Sequence, residues 1–410
     1  MSRSRRVAIA GLGVVSAVGS SVPEFFASLI AARSGVRRIP YRTDTVAAMV
    51  DFPAESHFTK MQLTSMDRFA QFALVAADEA VKDAGLAPDG FIGARVGVYF
   101  GTGIGGANAI ENSYRSFLDP QQRRVAPMTI VLTMANAAAA HISLRYGIRG
   151  PTQTYSVACA SAALAIGEAF RAIRHGYLDL AIVGGAEALL VPGVIAGWNS
   201  MRVLAPPDTE HPEQSCRPFS SNRSGLVLGE GAGVLVLEAV EHAQRRGREV
   251  IDEMTGYAVT SDASHLTKPS VDGQAACIIE ALADAALPPS AIDYISAHGT
   301  ATEIGDASET AAIRKAFGPD ADRVPVTSTK ALHGHLLGAS GAVELIAAVM
   351  AMRTGVIPPT CHYTQADPRC DLDYVPNTAR SGVAIGAVMS NSFAFGGTNA
   401  VLIAQKTSAH

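Results

Sequence analysis

The chain repeats one helix-then-strand pattern at a separation of roughly 200 residues, far longer than the 20 to 50 residues of a solenoid repeat. Segments 79–102 and 281–300 both read as a helix end, an apolar strand and then Gly-Thr. Further matched pairs are 154–165 with 326–347, and 180–186 with 383–390. A period of this length is typical of two copies of one α/β unit.

The strands of each copy are apolar along their whole length, as in 7–10 and 180–183. A helix is predicted over 67–83, with its apolar residues on one stripe and Gly85 as its stop signal. Strands that are apolar on both faces lie in sheets covered by helices on both sides. Two such sheets sharing a helical layer form a five-layer αβαβα sandwich. Because no linker separates the copies, we expect one compact unit with halves 1–250 and 251–410.

Composition excludes several classes of function. The 410 residues are 48% hydrophobic and carry a net charge of −4, so the chain can bury a large core and shows no basic excess for nucleic acid. The sequence shows no apolar run of membrane-spanning length and no signal-peptide cleavage region. The five cysteines lack disulfide-like spacing, so we expect reduced thiols in a cytoplasmic protein.

One cysteine lies in a setting that favours reactivity. Cys159 is in Ser-Val-Ala-Cys-Ala-Ser-Ala, between a strand-like run and a small-residue helical run over 160–173. A helix start favours the thiolate, and the small neighbours allow a substrate to approach. A free cysteine is often merely a small core residue, which is our interpretation of the other four.

Two histidines and a lysine lie at turns that the duplication matches to turns of the first copy. His298 follows the strand matching the one before Gly101, whereas Lys330 and His335 flank the turn matching that of Cys159. Each alone could be a core or surface residue. Corresponding turns of a duplicated fold meet at its centre, so the joint pattern predicts a cysteine–histidine site for covalent acyl chemistry.

Glycine and histidine clusters allow two rival interpretations. Gly101–Gly106 follows a strand and fits a dinucleotide-binding fingerprint, but no convincing acidic residue closes a second strand about 20 residues on. Metal binding lacks a carboxylate-rich context and a full ligand set, so we predict no metal. The candidate metal ligands considered were His298, His333, His335, Cys361, His362 and Cys370. A glycine-rich segment at 391–400 is better suited to supply backbone N–H groups for an oxyanion.

Together these motifs resemble the β-ketoacyl-acyl-carrier-protein synthases, nearest to the elongating type II condensing enzymes. The resemblance runs nearly end to end through the cysteine turn, His-Gly-Thr-Ala-Thr, Lys-Ala-Leu-His-Gly-His-Leu-Leu-Gly-Ala-Ser-Gly and Phe-Ala-Phe-Gly-Gly-Thr-Asn. It implies a thiolase-like αβαβα fold and a 3-oxoacyl-carrier synthase, an acyltransferase that extends a chain by malonyl condensation. It implies no cofactor beyond the 4'-phosphopantetheine of an acyl carrier protein.

The resemblance also implies roles for individual residues. Cys159 would hold the acyl group as a thioester, while His298 and His335 would assist decarboxylation of the malonyl group. Lys330 would hold local charge and geometry with Glu344 behind it, and the backbone of Phe395 would complete the oxyanion hole. Residues matched to the substrate path are Thr267, Thr300, Thr302, Ile104 and the gating Phe395.

Two departures from the family pattern bear on partners and gating. A basic cluster usual in the family is replaced by Gln-Leu-Thr-Ser at 62–65, although Arg202 matches a carrier-contacting arginine. Ala394 stands where glycine is usual in the gating loop, so we expect it to stiffen that loop.

The resemblance leaves the partner and the pathway open. It implies a homodimer, with a heterodimer with a ketosynthase-like partner left open. The alternative is a ketosynthase subunit of a specialised polyketide or polyene pathway, paired with a chain-length-factor homologue. The presence of Cys159 disfavours a silent chain-length subunit, and a nicotinamide oxidoreductase is the remaining rival.

Overall fold

The computed structural model describes residues 4–87, 91 and 95–407. Within them the strands are β1 (Val7–Ser16), β2 (Val36–Ile39), β3 (Arg42–Ala48), β4 (Val96–Gly101), β5 (Thr152–Tyr155), β6 (Leu180–Glu187), β7 (Leu228–Gly229), β8 (Gly231–Ala239), β9 (Asp252–Ser261), β10 (Tyr294–Ser296), β11 (Val326–Thr327), β12 (Val356–Ile357), β13 (Arg380–Ser381), β14 (Ala387–Phe393) and β15 (Thr398–Lys406).

The α-helices of the same residues alternate with these strands, as the sequence pattern predicts. They are α1 (Val22–Ile30), α2 (Lys60–Leu63), α3 (Arg68–Asp83), α4 (Ala107–Leu118), α5 (Thr129–Thr133), α6 (Ala137–Tyr146), α7 (Ser161–Arg174), α8 (Pro192–Ser200), α9 (Val240–Arg245), α10 (Val271–Ala285), α11 (Glu303–Phe317), α12 (Lys330–His333) and α13 (Ser340–Thr354). The helix predicted over 67–83 is α3, and Asp67 caps its start by accepting the N–H of Phe69.

The main sheet shows the duplication directly. Its strand order over the described residues is β11-β10-β14-β15-β9-β1-β8-β6-β4-β5. In one half, β4 lies parallel between β5 and β6, and β8 and β1 follow antiparallel. In the other half, β10 lies parallel between β11 and β14, and β15 and β9 follow antiparallel. The two five-strand sets therefore have the same order and direction.

The five predicted layers are confirmed. Helices α7 and α13 pack against each other and against both strand sets, so they form the shared central layer. Helices α3 and α6 cover one outer face, and α10 and α11 cover the other. The two sheets are not separate, because β1 and β9 pair at Val7 with Met254 and Ala8 with Glu253. The expected boundary at 250/251 falls between α9 and β9.

The central helix α13 shows why hydropathy alone is a poor guide to location. The segment Leu337–Thr354 is long and apolar enough to cross a membrane, with a mean hydropathy of 1.3, although the sequence pattern suggested no such run. In the folded chain, 83% of this segment is buried inside the protein. Burial by both sheets accounts for its apolar character, as expected for the middle layer of a sandwich.

Candidate active site

The turn that carries Cys159 is repeated in the other half of the molecule. A 3-10 turn at Ala158–Ala160 leads into α7, and a matching turn at Leu337–Ala339 leads into α13. Ala158 has φ +49° and Leu337 has φ +41°, a left-handed conformation that costs a non-glycine residue about 1 kcal/mol. The hydroxyl of Ser161 stabilises the first turn by accepting the N–H of Val157 at 2.9 Å.

Three predicted residues meet between these turns. Nε2 of His335 lies 2.9 Å from Sγ of Cys159, and Nδ1 of His335 lies 2.8 Å from the hydroxyl of Ser340. The rings of His298 and His335 are nearly perpendicular, with centroids 5.4 Å apart. The sulfur and one ring nitrogen of each histidine all lie within 4.8 Å of one another. A small substrate group could therefore contact all three side chains.

The electrostatics differ from the sequence expectation of a thiolate. Burial raises the pKa of the Cys159 thiol to about 12, against the opposing effects of the Lys330 charge and the N–H of Phe395. Burial and the Lys330 charge lower the pKa of His298 and of His335 well below the usual range. At neutral pH the cluster consists of a thiol and two neutral imidazoles, because desolvation outweighs the helix dipole. The thiol therefore needs a base, and His335 is in contact with it.

Lys330 and Glu344 form a buried ion pair directly behind the histidines. Each side chain is 1% exposed, and Nζ of Lys330 donates to Glu344 and to the backbone oxygen of His298 at 2.6 Å. Burial raises the pKa of Glu344 to about 7, and the Lys330 charge opposes that rise. The pair thus holds the backbone of His298 and sets the charge beside the cluster.

Sequence reasoning missed two buried carboxylates that shape the site. Glu309 accepts the backbone N–H groups of His298 and Gly299 at 2.8 and 2.7 Å. Glu187 accepts the N–H groups of Gly103 at 2.6 Å and Gly338 at 3.0 Å, which joins the two halves beside the cysteine. A usable signal for Glu309 was present in the sequence, since an acidic residue on a core-facing position of α11 needs a polar partner.

Glu187 also settles the role of the glycine motif at 101–106. The N–H of Ile104 donates to Glu187 at 3.2 Å, so backbone groups that could bind a phosphate are already engaged by a carboxylate of the protein. The motif therefore links the two halves through Glu187 and does not form a dinucleotide site.

A cavity of about 360 Å³ opens above the cluster. Of the predicted substrate-path residues, Thr267, Thr300, Thr302 and Phe395 line it, and Arg202 is exposed at its mouth. The hydroxyls of Thr300 and Thr302 lie 3.0 Å apart. Ile104 is not among the lining residues and is 37% exposed, so the structure does not place it on this path.

The lone tryptophan of the chain also lines this cavity, and the sequence reasoning missed it. The ring of Trp198 stacks on that of Phe395 with centroids 6.1 Å apart. An aromatic pair of this kind forms a rigid wall beside the cysteine.

The glycine-rich segment at 391–400 forms one side of the same cavity. Gly396 has φ +93° and Gly397 has φ +80°. Ala394 is not one of the described residues that adopt a positive φ, so its backbone suits any residue. Ala394 accepts the N–H of Gly397 at 3.0 Å, and Gly396 donates to the carbonyl of Leu266 at 2.7 Å. Glycine is thus required after Phe395 rather than before it.

We expect Gly396→Ala to slow acylation of Cys159 by about fivefold, because a Cβ at this positive φ costs about 1 kcal/mol. No heavy atom lies within 4 Å of the added Cβ, so backbone strain alone acts. Ala394→Gly is the matched control and should change the rate less than twofold. Pre-steady-state acylation with short and long acyl carriers measures both, and a larger effect at Ala394 would contradict the assignment.

Comparison with known proteins agrees with this geometry. Residues 4–243 match the family described as "Beta-ketoacyl synthase, N-terminal domain", and residues 252–364 match "Beta-ketoacyl synthase, C-terminal domain". The chain is 39% identical to "3-oxoacyl-[acyl-carrier-protein] synthase 2" of Staphylococcus aureus (strain N315), over 99% of both chains. It is 43% identical to "Nodulation protein E" of Rhizobium sp. (strain N33), over 97% of this chain and 98% of that one.

Solved structures give the same result. "The ishigamide ketosynthase/chain length factor" superposes with a TM-score of 0.91 at 35% identity, covering 99% of this chain and 100% of that one. A "type II PKS acyl-carrier protein in complex with its ketosynthase bound to the hexaketide" also gives a TM-score of 0.91, at 32% identity and the same coverage.

The duplicated αβαβα sandwich and its central cysteine define a thiolase-like condensing enzyme. The chain belongs to the β-ketoacyl synthase family, and it is an acyltransferase of the 3-oxoacyl-carrier synthase class.

Proposed function

We propose that the chain elongates an acyl group through a thioester on Cys159, by condensation with a malonyl group held on a carrier protein. The observation that carries this proposal is the contact between a buried thiol and a neutral histidine, with a second neutral histidine beside them.

The first step transfers the acyl group. Sγ of Cys159 attacks the thioester carbonyl while Nε2 of His335 accepts the thiol proton, which then passes to the departing pantetheine sulfur. Backbone N–H groups of Cys159 and Phe395 stabilise the oxyanion. The hydroxyl of Ser340 can accept from or donate to Nδ1 of His335, so both neutral tautomers keep a hydrogen bond.

The second step forms the carbon–carbon bond. The malonyl carboxylate leaves as carbon dioxide, and its bonding electrons form an enolate whose oxygen accepts hydrogen bonds from His298 and His335. The enolate carbon attacks the acyl carbonyl on Cys159, and the sulfur leaves as the β-ketoacyl product forms. Loss of carbon dioxide supplies the nucleophile, so the chemistry needs no metal or redox cofactor. The pantetheine arrives with the carrier and lies along Thr267, Thr300 and Thr302.

Reconstitution tests this function directly. Purified protein, an acyl carrier thioester and malonyl carrier should release carbon dioxide and give a β-ketoacyl carrier two carbons longer. Mass spectrometry of the carrier detects the product. Decarboxylation that never yields a longer chain, with every acyl carrier of a length series, would contradict the proposal.

Carrier docking is proposed to involve Arg202, at the mouth of the cavity. The segment 62–65 carries no basic residue and lies at the end of α2. A related ketosynthase has been solved in complex with its acyl carrier protein. An acidic carrier would be attracted by the arginine and not by the 62–65 segment.

Arg202→Glu should therefore raise the KM for the carrier substrate about tenfold with kcat nearly unchanged, because a reversed rim charge repels an acidic partner. Thr64→Glu, which adds a negative charge at an exposed position of the neutral segment, is the control and should leave KM within twofold. Steady-state kinetics over a concentration series of the carrier substrate measures KM and kcat for the parent and both variants. An unchanged KM for Arg202→Glu would remove it from the docking surface.

We also propose that the enzyme works as a homodimer. A cluster of exposed apolar side chains lies along residues 104–134, an unusual concentration for a solvated surface. Its members are Ile104, Ile110, Tyr114, Phe117, Leu118, Val125, Met128, Ile130, Val131 and Met134. The formal net charge of −4 is small enough not to oppose association of two copies.

Analytical ultracentrifugation should therefore give twice the mass of the 42.6 kDa chain. Replacing Tyr114 and Phe117 by aspartate should yield monomers, whereas the same change at exposed Tyr177 should not. A parent protein that is monomeric at micromolar concentration would contradict the homodimer.

A specialised pathway is the second candidate. The 43% identity to "Nodulation protein E" and the match to "The ishigamide ketosynthase/chain length factor" support it. In that case a ketosynthase-like partner replaces the second copy. A panel of saturated and unsaturated acyl carriers, assayed with and without such a partner, separates the two candidates.

A further inference from the structure

We propose that Cys159, His298 and His335 form a binding site for one zinc ion, which inactivates the enzyme reversibly by occupying its thiol. This inference goes beyond condensation, because the metal has no part in the reaction and competes with it. The three ligand atoms already lie within 4.8 Å of one another.

The donor set and its spacing suit zinc. One thiolate and two imidazoles are ligands that zinc selects, at about 2.3 Å for sulfur and about 2.1 Å for nitrogen. Tetrahedral geometry then places ligand atoms about 3.5 Å apart. The contact of 2.9 Å between Cys159 and His335 must lengthen by about 0.6 Å, and the His298 nitrogen, which lies within 4.8 Å of the other two ligand atoms, must approach by up to about 1.3 Å. Rotation of side chains supplies such shifts.

His298 is the observation that points to a ligand. Its Nδ1 is buried and has no hydrogen-bond partner among the described residues, and neither ring nitrogen is engaged there. By contrast, both ring nitrogens of His333 are bonded, to Thr329 and to the carbonyl of Gly334. His335 is oriented by Ser340, as metal-binding histidines are oriented by an outer partner.

The charge around the cluster is mixed. The Lys330 ammonium behind the histidines opposes a cation, and the carboxylates of Glu344 and Glu309 offset that charge. On binding, the zinc–sulfur bond forms and the thiol proton leaves to solvent, while the imidazoles give lone pairs and stay neutral. Water from the cavity takes the fourth position, so the site resembles a three-ligand zinc centre that keeps one place open.

The test uses cobalt(II) chloride as a spectroscopic probe and zinc chloride as its competitor, on the intact protein. We expect one cobalt per chain with a sulfur-to-metal charge-transfer band that Cys159→Ala abolishes. His298→Ala should weaken binding by about tenfold or more, since even the loss of a hydrogen-bond partner behind a ligand typically costs that much. His211→Ala, a surface histidine paired with Glu213, should stay within twofold of the parent. In the unaltered protein, zinc should block alkylation of Cys159, and a chelator should restore it.

Three results would overturn the proposal. They are a charge-transfer band that survives in Cys159→Ala, a His298→Ala variant that binds as tightly as the parent, and undiminished alkylation of Cys159 at saturating zinc. The alkylation experiment uses the unaltered protein, so it can refute the proposal even if a variant fails to fold. It is also independent of condensation, since it needs neither carrier nor malonyl group.

Discussion

His298→Ala is expected to slow malonyl decarboxylation by roughly 10²–10³-fold while leaving acylation of Cys159 within a few fold, because a lost oxyanion donor costs about that much. Among the residues that the structure describes, His298 makes no hydrogen bond to the sulfur, although one of its ring nitrogens lies within 4.8 Å, whereas Nε2 of His335 lies 2.9 Å from it. His335→Ala should therefore slow both half-reactions, since a thiol whose pKa is about 12 needs a base.

The two half-reactions can be measured separately. Release of carbon dioxide from malonyl carrier reports decarboxylation, and mass spectrometry of the protein reports acylation. His333→Ala is the matched control for removing a buried imidazole next to the site, since its ring nitrogens face Thr329 and Gly334. An equal loss of both half-reactions in His298→Ala would refute this division of labour.

Lys330→Met should lower the free energy of unfolding by about 3 kcal/mol, because it leaves the Glu344 carboxylate buried without its partner. The double variant Lys330→Met, Glu344→Leu should recover most of that loss, since apolar side chains often replace a buried pair at little cost. Urea denaturation of the parent, both single variants and the double variant measures the coupling. A double variant less stable than either single one would contradict the account.

The loss of stability in Lys330→Met should also depend on pH. Without Lys330, the folded-state pKa of Glu344 rises further above its unfolded value, so the folded protein binds the extra proton. The stabilisation that this proton gives the folded protein is fully present at low pH. It is lost as pH rises through the folded-state pKa of Glu344, which is at or above about 7. The destabilisation by Lys330→Met should therefore grow between pH 6 and pH 9. A constant deficit over that range would mean that the carboxylate is not the cause.

The layers and the meeting of the turns could be predicted because both follow from local pattern and symmetry. Apolar strands between amphipathic helices require sheets covered on both faces, and a repeated unit places equivalent turns together. Cys159 and His335 lie far apart in the sequence, yet their turns are related by the duplication. That relation brings their side chains into contact.

Properties set by long-range packing could not be predicted. The raised pKa of Cys159 depends on how completely the two halves exclude water, which no local motif reports. The hydrogen bonds between β1 and β9, and the binding of the glycine loop by Glu187, depend on register between distant segments. Ile104 was assigned from resemblance alone, and in the single chain it is exposed and does not line the cavity.

Intact-protein mass spectrometry can follow the acyl group through both steps of the reaction. The protein is mixed with an acyl carrier thioester, the acylated residue is located by peptide mapping, and malonyl carrier is then added. We expect one acyl group on Cys159 that disappears as a β-ketoacyl carrier two carbons longer forms. An acyl group on any other residue, or chain elongation by a Cys159→Ala variant at the parent rate, would contradict it.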